Sequence, residues 1–190
     1  MSYFASAAAL LIEIAFGVIV ALFVLRTLAE AVRADFYNPL SQFLYRSTNP
    51  ILMPLRRVIP SPRRINLAAL LIAWLAEFLK NIALYALIGF RGAIPGLMLL
   101  GLADLLDFFA VLYLIMIFIW ALLSFVSLDA RHPLIPLLGR LVEPVLRPLR
   151  RMLPAPGGLD LSPALAILII LLLRLVIVAP LLDLGRRLSL

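Results

Sequence analysis

Four charged residues interrupt long apolar stretches of this sequence at a regular spacing. Glu13 and Asp107 lie 94 positions apart, and the same interval separates Lys80 from Arg174. Each half of the chain therefore carries one acid followed by one base. A charge near the centre of a bilayer costs roughly 3 kcal/mol or more, so such residues are expected to pair with one another, to line a polar path for an ion or a proton, or to snorkel without a partner.

Two sets of ion pairs would satisfy these four charges. In the first set Glu13 pairs with Lys80 and Asp107 pairs with Arg174, and in the second the partners are exchanged between the two halves. Glu77 is a local competitor for Lys80, because residues three apart lie on one face of a helix. Structural pairing is the preferred interpretation, since acids and bases are balanced one to one, whereas a cation path favours unpaired acids.

The elements that must position these charges are long apolar segments. Hydrophobic residues make up 65% of the 190 residues, and the mean hydropathy is +1.13, far above the norm for soluble domains. About 20 apolar residues cross a bilayer as a helix. The chain is therefore predicted to be an all-α membrane protein with four transmembrane helices. The segments that qualify are residues 4–31, 65–90, 97–126 and 159–184.

The stretch between the first two spans recurs between the last two. Residues 38–67, NPLSQFLYRSTNPILMPLRRVIPSPRRINL, align without a gap with residues 132–161, HPLIPLLGRLVEPVLRPLRRMLPAPGGLDL. This ordered match predicts an internal repeat of residues 1–94 and 95–190. Two spans return the chain to its starting side, so the repeats are expected to be parallel and related by a pseudo-two-fold axis along the membrane normal.

Each repeated loop, covering residues 33–64 and 129–158, is predicted to be amphipathic and to lie at the membrane interface. Asn49-Pro50 and Glu143-Pro144 each place a capping side chain before a proline, which predicts the start of a helix. A second proline four residues later removes a backbone hydrogen bond and is expected to kink the segment, and each loop is predicted to contain two short helices. A shallow re-entrant hairpin is the alternative. Ser162 is the predicted N-cap of the fourth span. The candidate lipid-binding or partner-binding residues are Arg46, Pro50, Pro54, Arg56, Arg57, Arg140, Pro144, Pro148, Arg150, Arg151, Asp160 and Ser162.

The distribution of arginines predicts the orientation in the membrane. Seventeen Lys and Arg against ten Asp and Glu give a net charge of +7, and most arginines fall in the two loops. By the positive-inside rule these loops are cytoplasmic and both termini are external. The excess charge is explained by anionic lipid headgroups, so nucleic acid is not a predicted partner. Arg26, near the end of the first span, is expected to snorkel to the interface.

The residues offer no constellation for catalysis, a cofactor or a metal. The chain has no cysteine and a single histidine, His132. Because His132 precedes Pro133 where the first copy of the loop has Asn38, a turn or capping role is predicted for it. No second imidazole or thiolate exists to complete a metal site. The protein is therefore predicted not to be an enzyme.

The proline and arginine pattern resembles the YggT family, also called YlmG, of bacteria and plastids. The resemblance covers essentially the whole chain in a two-repeat form. It implies an inner-membrane or thylakoid protein connected with osmotic stress and potassium homeostasis, with cell or plastid division, or with assembly of a membrane cytochrome. The residues that carry it are Pro50, Pro54, Arg56, Arg57 and Pro60, then Pro144, Pro148, Arg150, Arg151, Pro154, Gly157, Gly158, Asp160, Ser162 and Pro163.

The preferred function is that of a membrane organiser or assembly factor in the bacterial inner membrane. In this hypothesis the arginine loops bind anionic lipid headgroups, other membrane proteins or a second copy of the chain, and the charges within the spans are structural. The alternative is a component of a potassium or proton channel or transporter, in which Glu13, Lys80, Asp107 and Arg174 line the path. A membrane enzyme is the least favoured hypothesis.

Overall fold

The computed structural model describes residues 3–59, 65–125, 132–152 and 160–190, and the regular structure within them is helical. A π-helical segment, Arg174–Val178, joins the last two helices into one continuous span. The repeated prolines Pro60 and Pro154 and the Gly157-Gly158 pair lie outside the described residues. The helices are α1 (Tyr3–Ala31), α2 (Pro39–Leu55), α3 (Leu67–Leu87), α4 (Ile94–Phe125), α5 (Leu134–Met152), α6 (Ser162–Leu173) and α7 (Ala179–Ser189).

Four of the described helical segments are long and apolar enough to cross a membrane, so the chain is a multi-pass membrane protein. The predicted all-α class with four spans is confirmed. The second span ends at Leu87 and not at Phe90, because Gly89 adopts a φ of 73°, a left-handed conformation that commonly ends helices. The spans are Tyr3–Ala31, Leu67–Leu87, Ile94–Leu123 and Ser162–Ser189.

The spans pack so that α3 lies between α1 and α4, and α4 packs in turn against α6 and α7. The core between α1 and α3 is built from small residues of α3, which include Ala69 and Ala73, set against Val20 and Phe23 of α1. In lipid, such small side chains allow helix backbones to approach closely.

Glycines set the closest helix contacts of α4. A Cβ added at Gly101 would lie 2.9 Å from the backbone nitrogen of Phe78 on α3. On another part of the helix, Gly96 lies against the backbone of Ser189 on α7. Only a residue without a side chain permits these two approaches, and α4 is thereby held to both of its neighbours.

Within the described residues, each of the two loops contains one continuous helix, so the prediction of two short helices per loop is wrong. Pro50 and Pro54 lie inside α2, and Pro144 and Pro148 lie inside α5. All four prolines are exposed. Since residues four apart share a helix face, the lost hydrogen bonds fall on the outer side, while packing of the inner face keeps the helix continuous. The buried inner-face residues are Ser41, Leu44, Thr48 and Leu52 of α2, and Leu137, Leu138, Leu141, Val142 and Leu146 of α5.

Side chains immediately before α2 and α5 cap these helices in the same way. Asn38 Oδ1 accepts a hydrogen bond of 2.9 Å from the backbone N–H of Leu40. His132 Nδ1 accepts one of 3.3 Å from the backbone N–H of Leu134. The predicted turn or capping role of His132 is confirmed.

The start of α6 differs by one residue from the prediction. Ser162 is the first residue of α6, and Leu161 occupies the cap position that the sequence assigned to Ser162. The carboxylate of Asp160 accepts a 2.9 Å hydrogen bond from the backbone N–H of Ser162. Because Asp160 satisfies this first free donor, the helix begins without a hydroxyl cap.

Candidate functional site

The structure brings Asp107 of α4 and Arg174 together. Arg174 Nε donates to Asp107 Oδ1 at 2.7 Å, and Arg174 Nη2 donates to Asp107 Oδ2 at 3.0 Å. Two parallel bonds between a guanidinium and a carboxylate fix orientation as well as charge. Arg174 is the first residue of the π-helical segment, so this pair joins the third span to the widened turn of the fourth.

Lys80 lies in a second charged cluster, which joins α3 to α4. Its ammonium pairs with Glu77 on its own helix and lies 3.6 Å from Asp104 Oδ2. Asn81 Nδ2 also donates to Asp104 Oδ2, at 2.8 Å. Glu77 is buried, with 2% of its surface exposed, so the cluster holds an acid inside the helix packing.

The predicted partnership of Glu13 with Lys80 is wrong, and so is the exchanged set. Glu13 is exposed on α1 and forms no ion pair with any described residue. The reason is local: Glu77 lies three residues before Lys80 on the same helix face, and α4 supplies Asp104 from the other side. The acid and base of the first half therefore do not repeat the pair of the second half.

Arg26 does not snorkel; it is buried, with 1% of its surface exposed. Its Nη2 lies 2.6 Å from Glu30 Oε1 and donates to Asn49 Oδ1 at 3.3 Å. Its guanidinium lies over the ring of Tyr45, 3.3 Å from the centroid. The prediction fails because α2 packs across the end of α1 and covers this side chain. Glu30, four residues after Arg26, was the available sequence signal.

Arg56, at the end of α2, also pairs with Glu30. Two guanidinium groups therefore share one carboxylate at the junction of α1 and α2. Arg26 Nε and Nη1 have no hydrogen-bond partner among the described residues. Through Glu30, these ion pairs join α2 to α1.

Arg150 performs the corresponding task for the second loop. It lies 3.2 Å from Glu143 Oε2 within α5 and 2.9 Å from Asp160 Oδ2 at the start of α6. Burial raises the pKa of Asp160, but hydrogen bonds from Ser162 and Arg150 outweigh it and hold the pKa below its usual value. Three of the predicted site residues, Arg150, Asp160 and Ser162, thus meet where α5 is tied to the fourth span.

The two loops touch each other at their entrances. Asn38 Nδ2 donates to the carbonyl oxygen of Pro133 at 2.6 Å. Arg140 Nη1 donates to the carbonyl oxygen of Arg33 at 3.0 Å. These bonds place α2 and α5 in one layer at one end of the spans, called the loop layer below.

The remaining predicted arginines point away from the helix packing. Arg46 and Arg57 are exposed on the first loop, and Arg151 is exposed on α5 with its neighbour Arg147. None of the four forms an ion pair with an acid in the described ranges. Their charges are available to an external anion. In the same ranges, no group of three or more metal-ligating side chains is placed to hold a metal ion.

Comparison with known proteins gives one family and several bacterial relatives. The CCB3/YggT family model matches residues 4–87 and 99–181. The chain is 39% identical to the uncharacterized protein YggT of Escherichia coli (strain K12) over 151 residues, which cover 80% of this chain and 78% of the relative. It is 41% identical to an uncharacterized protein of Vibrio alginolyticus over 155 residues, with 80% and 83% covered. No solved structure matches the chain.

Proposed function

Because the chain belongs to the CCB3/YggT family, we propose that it is a non-catalytic organiser or assembly factor of the bacterial inner membrane. Its role lies in envelope homeostasis under osmotic stress or in division. The names of its relatives state no activity, and the support comes from how the charges of this chain are distributed.

One observation carries the proposal: the charges in the middle of the second, third and fourth spans are paired, whereas four arginines on the loop layer are not; Glu13 of the first span is the exception. Asp107 is neutralised by Arg174, and Lys80 by Glu77 and Asp104. By contrast, Arg46, Arg57, Arg147 and Arg151 are exposed without an acidic partner among the described residues. Arginines held on a packed helix near a membrane surface attract anionic headgroups, and they equally suit acidic segments of another membrane protein or of a second copy.

The proposed architecture is two parallel repeats, with the loop layer cytoplasmic and both termini external. The capping side chains Asn38 and His132 lie 94 positions apart and make the same hydrogen bond. The two segments matched by the family model are of nearly equal length. The arginines concentrated in the loops favour the cytoplasmic side for that layer.

The test is complementation of a host strain that lacks the gene, scored by growth after osmotic upshift and by cell length. A variant with Arg46, Arg57, Arg147 and Arg151 changed to Gln is expected to lose complementation while its level in the membrane stays normal. The matched control changes the same four residues to Lys, which keeps the charge, and is expected to retain most of the function. Full complementation by the Gln variant would refute the proposal.

The alternative, an ion channel or transporter component, has one observation in its favour. Lys80, Asn81 and Asp104 form a polar cluster between α3 and α4, and Asp107 follows Asp104 by one turn. Potassium and proton flux in liposomes separates the two functions. No flux is expected from the folded protein. Flux that is lost in Asp107→Asn and Glu13→Gln variants would establish conduction and overturn the organiser proposal.

A further inference from the structure

An apolar groove of about 440 Å³ lies between α4, α5 and α6. Ala110 and Tyr113 of α4 form one wall, Pro148 of α5 another, and α6 lines the groove from Ala166 to Leu173. This volume falls within the usual range of sites that hold small organic ligands. Its position beside two spanning helices, below the start of α6 at Ser162, places it at the depth of lipid tails.

The groove extends towards the middle of the fourth span. From Ala166 to Leu173 the helix rises about 10 Å at 1.5 Å per residue. Leu173 directly precedes Arg174, so the paired charges of Asp107 and Arg174 lie next to the inner end of the groove. An apolar groove of this length matches part of an extended hydrocarbon chain.

The outer edge of the groove carries positive charge. Arg151 follows Pro148 by three residues, so the two are neighbours on the surface of α5, and Arg147 lies one turn before Arg151 on the same side of the helix. Both arginines are exposed and form no ion pair within the described ranges. Arg150 is already engaged by Glu143 and Asp160. Among the described residues, Arg147 and Arg151 are therefore the cations of α5 without an acidic partner, and Arg151 neighbours Pro148, which lines the groove.

We propose that this groove binds one acyl chain of an anionic glycerophospholipid, whose phosphate lies between Arg147 and Arg151. An amphiphile with an apolar tail and an anionic head matches the apolar walls and the charged edge together. Guanidinium groups suit a phosphate because their planar donors match its oxygens. This inference rests on the proposed function, in which the loop layer binds anionic headgroups, and it assigns that binding to one site.

The sequence accounts for the location of the groove in the second half of the chain. The positions 94 residues before Ala110 and Ala166 carry Phe16 and Ile72. Both larger side chains pack against the core of the first half. The two alanines thus leave space where bulkier residues would fill it.

The test is native mass spectrometry of the purified full chain, titrated with phosphatidylglycerol and, separately, with phosphatidylcholine. We expect one tightly bound phosphatidylglycerol and at least tenfold weaker binding of phosphatidylcholine. Ala110→Phe, which fills the groove, and Arg147→Gln with Arg151→Gln, which removes the charged edge, are each expected to weaken phosphatidylglycerol binding at least tenfold. A second groove variant, Ile169→Trp, is expected to act like Ala110→Phe and covers the case in which that variant misfolds.

Matched controls make the same changes elsewhere. Ala15→Phe places a phenylalanine at an exposed position of α1, and Arg91→Gln with Arg187→Gln removes two exposed charges at the end of the spans opposite the loop layer; both are expected to bind phosphatidylglycerol within twofold of the native protein. Equal binding of the two lipids, or native binding by both folded groove variants, would overturn the inference. Competition by glycerol phosphate as strong as by the lipid would show a headgroup site without an acyl chain, which also overturns it.

The site and the proposed function fail separately. Ala110→Phe and Ile169→Trp keep all four exposed arginines. If these two variants bind lipid normally and the four-arginine variant fails to complement, the lipid site in the groove is refuted and the organiser role stands. If the groove variants lose lipid binding but every variant complements fully, the lipid site stands and the organiser role is refuted.

Discussion

Arg26 of α1 lies over Tyr45 of α2, with its guanidinium carbon 3.3 Å from the centroid of the ring. The residues 94 positions later are Trp120 and Gly139, and these also meet. A Cβ added at Gly139 would lie 2.9 Å from the Trp120 ring. Where α2 crosses α1, a cation thus packs on an aromatic ring. Where α5 crosses α4, an indole packs on a glycine.

The burial of Arg26 predicts that removing its carboxylate partner destabilises the protein more than removing Arg26 itself. Glu30→Gln leaves the cation buried without its carboxylate and is expected to lower the free energy of unfolding by about 2 to 4 kcal/mol. Arg26→Met removes the buried charge and fills similar volume, so a change below about 1.5 kcal/mol is expected. Thermal or chemical unfolding in detergent measures both, and a larger loss for Arg26→Met than for Glu30→Gln would contradict the burial of an uncompensated charge.

The bidentate pair of Asp107 and Arg174 predicts rescue by exchange. Asp107→Ala and Arg174→Ala are each expected to reduce the yield of folded protein, because each leaves the partner's charge unpaired within a membrane span. The exchanged variant, Asp107→Arg with Arg174→Asp, is expected to recover yield, with a coupling energy of about 1 to 3 kcal/mol in a double-mutant cycle. Glu13→Ala serves as the control, since Glu13 is exposed and its loss is expected to leave the yield unchanged. Additive effects of the two single changes would argue against the pair.

The close approach at Gly101 predicts opposite outcomes for two glycine-to-alanine changes. At Gly101 the new Cβ would meet the backbone of Phe78, and the displaced helices are expected to cost about 1 to 3 kcal/mol. At Gly17 a Cβ meets nothing within 4 Å, so alanine is expected to stabilise α1 by about 0.5 to 1 kcal/mol through helix propensity alone. Unfolding midpoints of the two variants compare the effects directly; equal shifts would mean that α3 and α4 do not touch at Gly101.

The lowered pKa of Asp160 predicts a contribution to stability that depends on pH. A carboxyl whose pKa is lower in the folded state stabilises the fold above its unfolded pKa, about 3.9 for Asp, and the contribution is lost as pH falls through the folded value. The native protein should therefore exceed Asp160→Asn in stability at pH 7 and approach it as the pH falls through the lowered pKa of the folded state. The difference is expected to stay below about 1 kcal/mol, since 43% of the side chain is exposed. A difference that is constant with pH would assign the stability to another group.

The sequence could predict the charge pair of the second half but not that of the first. Asp107 and Arg174 are marked by their interval from Glu13 and Lys80, and both lie in the second half of the chain. The partner that Lys80 finds across the helix contact, Asp104, has Leu10 at the position 94 residues earlier. No repeated pattern points to it, and the contact depends on how α3 packs against α4.

The spans could be predicted from the length of the apolar segments. The loop helices could not, because tertiary packing overrides the local effect of their prolines. A proline inside a helix locally favours a break. In α2 the inner face is held by buried residues such as Leu44 and Leu52, and this packing outweighs the missing bonds at Pro50 and Pro54. Arg26 illustrates the same limit, since its burial is imposed by a helix that begins at Pro39 and packs across α1.

The bond between Asn38 and Pro133 joins residues 95 positions apart in the chain. A ribosome adds about 5 to 20 residues per second, so roughly 5 to 20 seconds pass between the synthesis of the donor and that of the acceptor. During this interval the first two spans can enter the membrane while the amide of Asn38 still faces water. Closure of the loop layer is therefore a late event in biogenesis, and ribosome-bound chains that end before Pro133 should carry the first loop helix without its neighbour.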